Sequence, residues 1–317
     1  MLDELAWNAN PVRRAGCGAY RWLSRRCFHE TGTSLDNLSI REGSHTVRLI
    51  DGVMLLWWIL TVPSFLFVAI DVQRTPAATV IKWAFIILVA FTGPIGAFFY
   101  VLGCREPLYG VHEEYVSVRW RQVMGSTMHC AAGDGIGIIV GAAVGAGLAL
   151  NFWPDFLLEY TLGFGFGWTY FQAFAMRFMA GGSYRKSLRM TFLPELLSMN
   201  LLMSGMLLTT RFSMRAVEGG DDPTRPEFWF IMSMALIVGF AFAYPINWWL
   251  VANHMKHGMF TVRKEAVSAL NGREPVTPMP AGPPPVQPGI RVKAAMTVLT
   301  FAILGGTLLV ITQLAIR

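Results

Sequence analysis

The sequence predicts an all-α, polytopic transmembrane bundle of about seven spans. Three observations predict it. Hydrophobic residues make up 54% of the 317-residue chain and charged residues only 15%, against roughly 25% charged in soluble domains. The apolar residues stand in seven long blocks. Lysine and arginine gather in alternate gaps between those blocks.

A helix needs about 20 mainly apolar residues to cross a ~30 Å hydrocarbon core. The blocks run over residues 50–70, 80–102, 132–152, 157–180, 193–210, 228–251 and 294–314. Helix is the expected state of each, because lipid offers backbone groups no hydrogen-bond partners. The lipid bilayer is therefore the first partner implied. The organisation read from this is an arginine-rich segment 1–49, a six-helix bundle 50–260, a proline-rich linker 261–293 and a seventh helix 294–317. The first segment has no apolar core of the secretory type. It mixes Arg13, Arg14, Arg21, Arg25 and Arg26 with Tyr20, Trp22 and Phe28, which suits either an anionic membrane surface or a solvated arm.

Orientation comes from the basic residues. If every block crosses, 20 of the 26 Lys and Arg fall on one side and 6 on the other. This predicts a cytoplasmic N-terminus, an external C-terminus and a bacterial inner-membrane location. The net charge of +6 then reads as a topology signal and not as a nucleic-acid footprint. The four cysteines, Cys17, Cys27, Cys104 and Cys130, form no CxxC pair, so a zinc ribbon has no support.

Ionisable residues inside spans are costly and are functional candidates by default. The third block is introduced by His129-Cys130 and contains Asp134. Cys130 and Asp134 are four apart and share a helix face. Thiol, imidazole and carboxylate together supply part of a soft-metal site; the same three residues also fit an interfacial histidine, a small packing residue and a partner for an arginine. The block then spaces Gly133, Gly137, Gly141 and Gly145 every four residues, a groove for close helix approach.

The fifth block opens with Pro194-Glu195, the proline expected in the first helical turn. Glu195, Met199, Met203 and Met206 fall within about 80° on one face, with Asn200 beside them. A carboxylate followed by three thioethers resembles a Cu(I) path, although methionine also fills any apolar core. In the fourth block Gln172, Met176 and Met179 share a face, and Arg177 beside them is expected as counter-ion to Asp134 or Glu195. The sixth block ends at Asn247, and His254 and His257 beyond it are spaced to share a helical face. The second loop, with Cys104-Arg105-Glu106 and His112-Glu113-Glu114, reads either as a charged loop or as an extension of a cation site. With the predicted orientation, all these groups lie near the cytoplasmic ends of helices three to six.

Several of these blocks resemble a known family. They are 93–100, Cys104-Arg105-Glu106-Pro107, His129 to Asp134, Phe171-Gln172 and Gly181-Gly182-Ser183-Tyr184. They continue with Pro194-Glu195, Ser198-Met199-Asn200, Gly205-Met206, Tyr244-Pro245-Ile246-Asn247 and Lys256-His257-Gly258-Met259. Together they are similar to a bacterial inner-membrane family catalogued as domain of unknown function four-three-nine-six, over roughly residues 90–260. The resemblance implies a multi-spanning protein without an established activity, often encoded beside copper-handling genes. Some members have a second cysteine where this chain has Asp134, a departure that counts against a thiolate-pair site.

Two functions follow as expectations. One is binding or transport of a soft cation, copper first, by His129, Cys130, Asp134, Glu195, Met199, Met203 and Met206, supported by Gln172, Arg177, Asn200, Asn247, His254 and His257. The alternative is a non-catalytic scaffold or assembly subunit with other membrane proteins as partners. An enzyme ranks last, since the chain has no HExxH, GxSxG, P-loop or CxxCH pattern.

Overall fold

A computed structural model describes residues 49–108, 111–175, 177–258 and 287–316. The N-terminal segment to residue 48, most of the proline-rich linker, Met176 and Met259 lie outside the described residues, as does the side chain of Met179. Among the described residues there is no strand. The helices are α1 (Leu49–Asp71), α2 (Thr79–Gly103), α3 (His112–Ser117), α4 (Arg119–Gly147), α5 (Phe152–Phe166), α6 (Tyr184–Ala216), α7 (Pro226–Ala252) and α8 (Ile290–Ile316). Six of them (α1, α2, α4, α6, α7 and α8) are long and apolar enough to cross a membrane. The fourth apolar block is also helical, but α5 passes at Gly167 into a π segment, Gly167–Phe174.

All seven blocks are thus helical, but α2 does not run straight. Pro94 lacks an N–H and disfavours helical geometry in the residue before it. Gly93 answers with φ 52° and ψ −132°, open only to a residue without Cβ. The chain folds back there. The rings of Phe85 and Tyr100 stand 5.4 Å apart, whereas fifteen residues of straight helix would separate their backbones by about 22 Å. Tyr100 also donates to Asp71 at 2.7 Å, and Arg105 pairs with Asp71 at 2.9 Å, so both ends of α2 meet the end of α1. α2 is a helical hairpin that enters the bundle and leaves by the same end. Gly93 lies at its tip, packed on Trp57 and Thr61 of α1.

This hairpin changes the topology. The end of α2 meets the start of α4, where Arg121 donates to the Leu102 carbonyl at 3.1 Å. Asp71, Arg119 and the end of α7 therefore share one end of the bundle. Tyr244 of α7 donates to the Trp120 carbonyl at 3.2 Å. Leu49 lies at the opposite end, where Trp57 meets Phe230 near the start of α7. α8 begins beside the end of α7, with Gln287 donating to the His254 carbonyl at 3.3 Å, so it too finishes at the Leu49 end. The expectation that the N-terminal and C-terminal spans open on opposite sides is corrected: Leu49 and Ile316 belong to one end. Among the described residues only Arg211, Arg215 and Arg225 are Lys or Arg at that far end; all others are at the basic end.

The core is built by α4, α6 and α7, with α5 and α2 against α4. α8 packs on α6. The most apolar windows of α1 and α8 are only 17% and 22% buried, which leaves most of their surface for lipid. The glycine groove of α4 receives α5 throughout. A methyl group on Gly137 would stand 2.6 Å from Gly163 Cα, and one on Gly141 2.7 Å from Glu159 Cα. The groove expected from the sequence is real, and it is filled from within the chain.

α7 ends in a Schellman turn. Met255 N–H bonds to the Leu250 carbonyl at 2.9 Å and His254 N–H to the Val251 carbonyl at 3.2 Å. His254 occupies the left-handed position at φ 54°. The turn reverses the chain and returns Lys256 into the bundle, where it is buried.

Two outcomes test this architecture. In a Cys17→Ser, Cys27→Ser background, a membrane-impermeant thiol reagent should label Leu49→Cys and Asp221→Cys from the same side, and Arg185→Cys from the other. Labelling of Leu49→Cys with Arg185→Cys would mean that α2 crosses. Gly137→Ala should cost about 1–3 kcal/mol by overpacking, read from thermal unfolding in detergent. Gly147→Ala, which meets nothing within 4 Å, should leave the midpoint unmoved.

Candidate functional site: a buried lysine, carboxylate and thiol

The unusual residues do converge. Cys130 of α4 donates its Sγ proton to Glu195 Oε2 of α6 at 3.0 Å. Lys256 Nζ donates to the same Oε2 at 2.9 Å and also contacts Cys130 Sγ. Cys130 and Glu195 are fully buried, and Lys256 is 8% exposed. Gln172 Nε2 lies 3.1 Å from both Cys130 Sγ and His129 Nδ1. One turn deeper on α4, Asp134 is fully buried. Its carboxyl is close enough to Glu195 for the two to interact electrostatically. Asp134 and Glu195 face each other as a carboxyl pair; apart from that pairing, no hydrogen-bond partner reaches the Asp134 oxygens, Glu195 Oε1 or His129 Nε2 among the described residues.

Local structure explains the placement. π turns bond each residue to the fifth before it, as Ala175 N–H does to the Tyr170 carbonyl at 2.9 Å. Residues five apart then share a face, so Gly167 and Gln172 both look at α4. Gly167 is needed there, because a side chain would collide with the Asp134 carboxyl. On α6, Glu195 lies well inside the helix. The expected start at Pro194 is corrected, since α6 begins at Tyr184, with Ser183 Oγ accepting from Lys186 N–H at 3.4 Å. α4 likewise begins at Arg119, eleven residues before Cys130. Arg185, Lys186 and Arg189, and Arg119 with Arg121, are too polar for an apolar block yet helical in structure. Cys130 and Glu195 consequently lie within the bundle, and Lys256 reaches them from just past the end of α7.

Further in, the polar groups continue. Tyr160 donates to Asn200 Oδ1 at 2.7 Å, and Asn200 Nδ2 donates to Thr300 Oγ1 of α8 at 3.2 Å. Asn247 Nδ2 donates to Ser198 Oγ at 2.9 Å and to the Ala243 carbonyl at 3.0 Å. Toward the far end, Glu159 lies within electrostatic reach of Asp155 and Arg211.

Other expectations fail on geometry. Arg177 is exposed. It donates to the Phe174 carbonyl at 3.2 Å and sits 4.2 Å from the Phe174 ring. Lys256 is the counter-ion instead. The sequence offered it only as one more basic residue past the end of a span; its signal was the family block Lys256-His257-Gly258. His254 and His257 do not share a helical face, because α7 ends at Ala252; both line a cavity at the basic end. The methionine row is divided between neighbours. Met199 reaches Gly163 of α5, and Met206 packs on Gly239 of α7. Met203 is fully buried in the same apolar cluster. In the second loop, His112 is buried with its Nε2 3.0 Å from the Cys104 carbonyl, away from the centre. Among the described residues no three His, Cys, Asp or Glu side chains are grouped to hold a metal ion.

Electrostatics follow from burial. A lone charge in such a place is very costly, and it persists only with partners. Lys256→Met would leave Glu195 and Cys130 without their cation and is expected to cost about 3–5 kcal/mol. Lys256→Met with Glu195→Gln removes both charges and should recover part of that loss. Thermal unfolding of the two singles and the double in one detergent measures the coupling, and strict additivity would mean that the pair does not form.

No curated protein and no solved structure matches the chain. Residues 119–256, from the first residue of α4 to the buried lysine, match the family model described as Domain of unknown function (DUF4396), and the stretch that carries the resemblance to this uncharacterised family is thus the one that builds the site.

Proposed function

We propose that this multi-pass membrane protein is a proton-coupled carrier whose working centre is Lys256, Glu195, Cys130 and Asp134. The observation that carries the reading is a second buried carboxyl, Asp134, set against Glu195 behind the Lys256–Glu195–Cys130 contact. One ammonium faces two carboxyl groups and a thiol. Lys256 can balance one negative charge, so the second acidic group needs a proton or another cation. Ionisable chains of this kind inside membrane bundles mark proton and ion pathways. The polar groups extend from Lys256 through Asp134 to Tyr160 and Asn200, and Glu159 and Asp155 occupy the far half of the same α4–α5–α6 interface. We place the basic end in the cytoplasm of a bacterial inner membrane, on the excess of Lys and Arg there.

A second reading is favoured by one observation. His129 Nε2 is buried without a partner beside the Cys130 thiol, and imidazole with thiolate suits Cu(I). Copper would have to displace Lys256 from Cys130, and the three methionines give it no continuous path. The scaffold alternative draws less support, because the glycine groove already holds α5.

The test is proton flux into proteoliposomes that trap a pH-sensitive dye. An imposed pH gradient should drive flux in the wild type, and Asp134→Asn and Glu195→Gln should each reduce it by about a hundredfold or more, the span that loss of a positioned proton-transfer group covers. Flux that survives in both variants would sink the carrier reading. Cu(I) titration against a competing chelator decides the second reading: stoichiometric binding lost in Cys130→Ser would establish it, and none in the wild type would end it.

A further inference from the structure

A feature not used so far is a cavity at the basic end, about 280 Å³ in volume. It is enclosed by the first turns of α6, the turn after α7 and the segment leading into α8. Gln172, Arg189, His254, Lys256, His257 and Lys293 contribute its polar and charged wall, and among the described residues no Asp or Glu lines it. Gln172 and Lys256 belong to the buried centre as well, so the cavity opens directly onto that centre.

Charge and shape point one way. A concave site with walls of a single sign concentrates ions of the opposite sign. Arg189 offers a planar fork suited to oxyanions, and the two lysines add point charges. The volume is at the small end for ligand pockets, which start near 300 Å³. The roof is fastened: Gln287 donates to the His254 carbonyl at 3.3 Å and accepts from Lys293 at 3.1 Å.

We propose that this cavity binds a small phosphate- or carboxylate-bearing anion through Arg189, Lys256 and Lys293, and that the anion is the solute carried with the proton. Binding stands on the cavity alone. The coupling rests on the carrier reading, through Lys256. An anion drawn to Lys256 competes with Glu195 for the ammonium, and the added negative charge beside the buried Glu195 and Asp134 is balanced by a proton. One anion and one proton then occupy the centre together.

The experiment uses the full chain in nanodiscs of neutral phosphatidylcholine, titrated calorimetrically with inorganic phosphate and with succinate. At least one should bind saturably. Arg189→Gln and Lys293→Gln should each weaken binding about tenfold, the loss of one charge-assisted hydrogen bond. Arg119→Gln, at the same end but outside the cavity, should bind as the wild type does, and thermal unfolding of all three checks folding. A parallel titration in discs containing anionic phosphatidylglycerol separates a free anion from a lipid headgroup. Phosphatidylglycerol that abolishes probe binding, and is itself retained less by the two variants, would assign the phosphate group to lipid and overturn the solute half. No saturable binding of either probe, or equal binding in the variants, would overturn the site. Proton flux that persists without anion binding would overturn the coupling alone, and binding that persists without flux would overturn only the carrier reading.

Discussion

The contact that the rest of the molecule serves is the one between Lys256, Glu195 and Cys130. An ammonium and a carboxylate in an apolar interior are tolerable only together, so three separate elements must be held in register. α4 carries the thiol, α6 the carboxylate, and the turn after α7 the lysine. The close packing of α6 on α7, with a methyl on Gly205 only 2.9 Å from Gly239 Cα, fixes two of these. The glycine groove fixes the third by letting α5 lie flat on α4. The π segment then brings Gln172 within 3.1 Å of both Cys130 and His129. Loosening α6 from α7 would part the buried charges of Glu195 and Lys256.

Much of this was legible in the residues. His129, Cys130, Asp134, Glu195 and Gln172 stand out because polar side chains inside apolar blocks are expensive, and the structure brings all five together. The glycine spacing on α4 predicted a close helix contact and was right about its place. Lys256 was hidden for a physical reason. It lies beyond the last apolar residue of its block, and the reversal that returns it depends on a histidine in a conformation usually given to glycine. No periodicity signals that. The methionine row misled for the opposite reason. Periodicity correctly put Met199, Met203 and Met206 on one side of α6, but a side about 80° wide touches two neighbours, and the thioethers part between α5 and α7.

Topology was the least legible feature. Hydropathy measures how many apolar residues follow one another, and α2 has enough to cross. What stops it is one dipeptide, Gly93-Pro94, which a sliding window averages away. The consequence is large, because a single fold-back exchanges the sides of every element before it. It also lessens the disparity in basic residues on which the orientation was first argued. The orientation proposed here therefore leans on the described residues at the α4–α7 end.

The cavity bears on which cation the centre can serve. Among the described residues, a metal ion approaching Cys130 from the basic end would meet Arg189, Lys293 and Lys256 before any carboxylate, and walls of that sign disfavour a free cation. A proton is under no such restriction, since it can arrive on the very anion that the cavity attracts or be relayed between donors already in place. On the proposed reading, the same field disfavours a free soft cation and favours oxyanions. A basic vestibule above an acidic centre is poorly arranged for a copper channel. It suits the proposed movement of a negative solute and a proton through one site, with Lys256 as the charge that each would share.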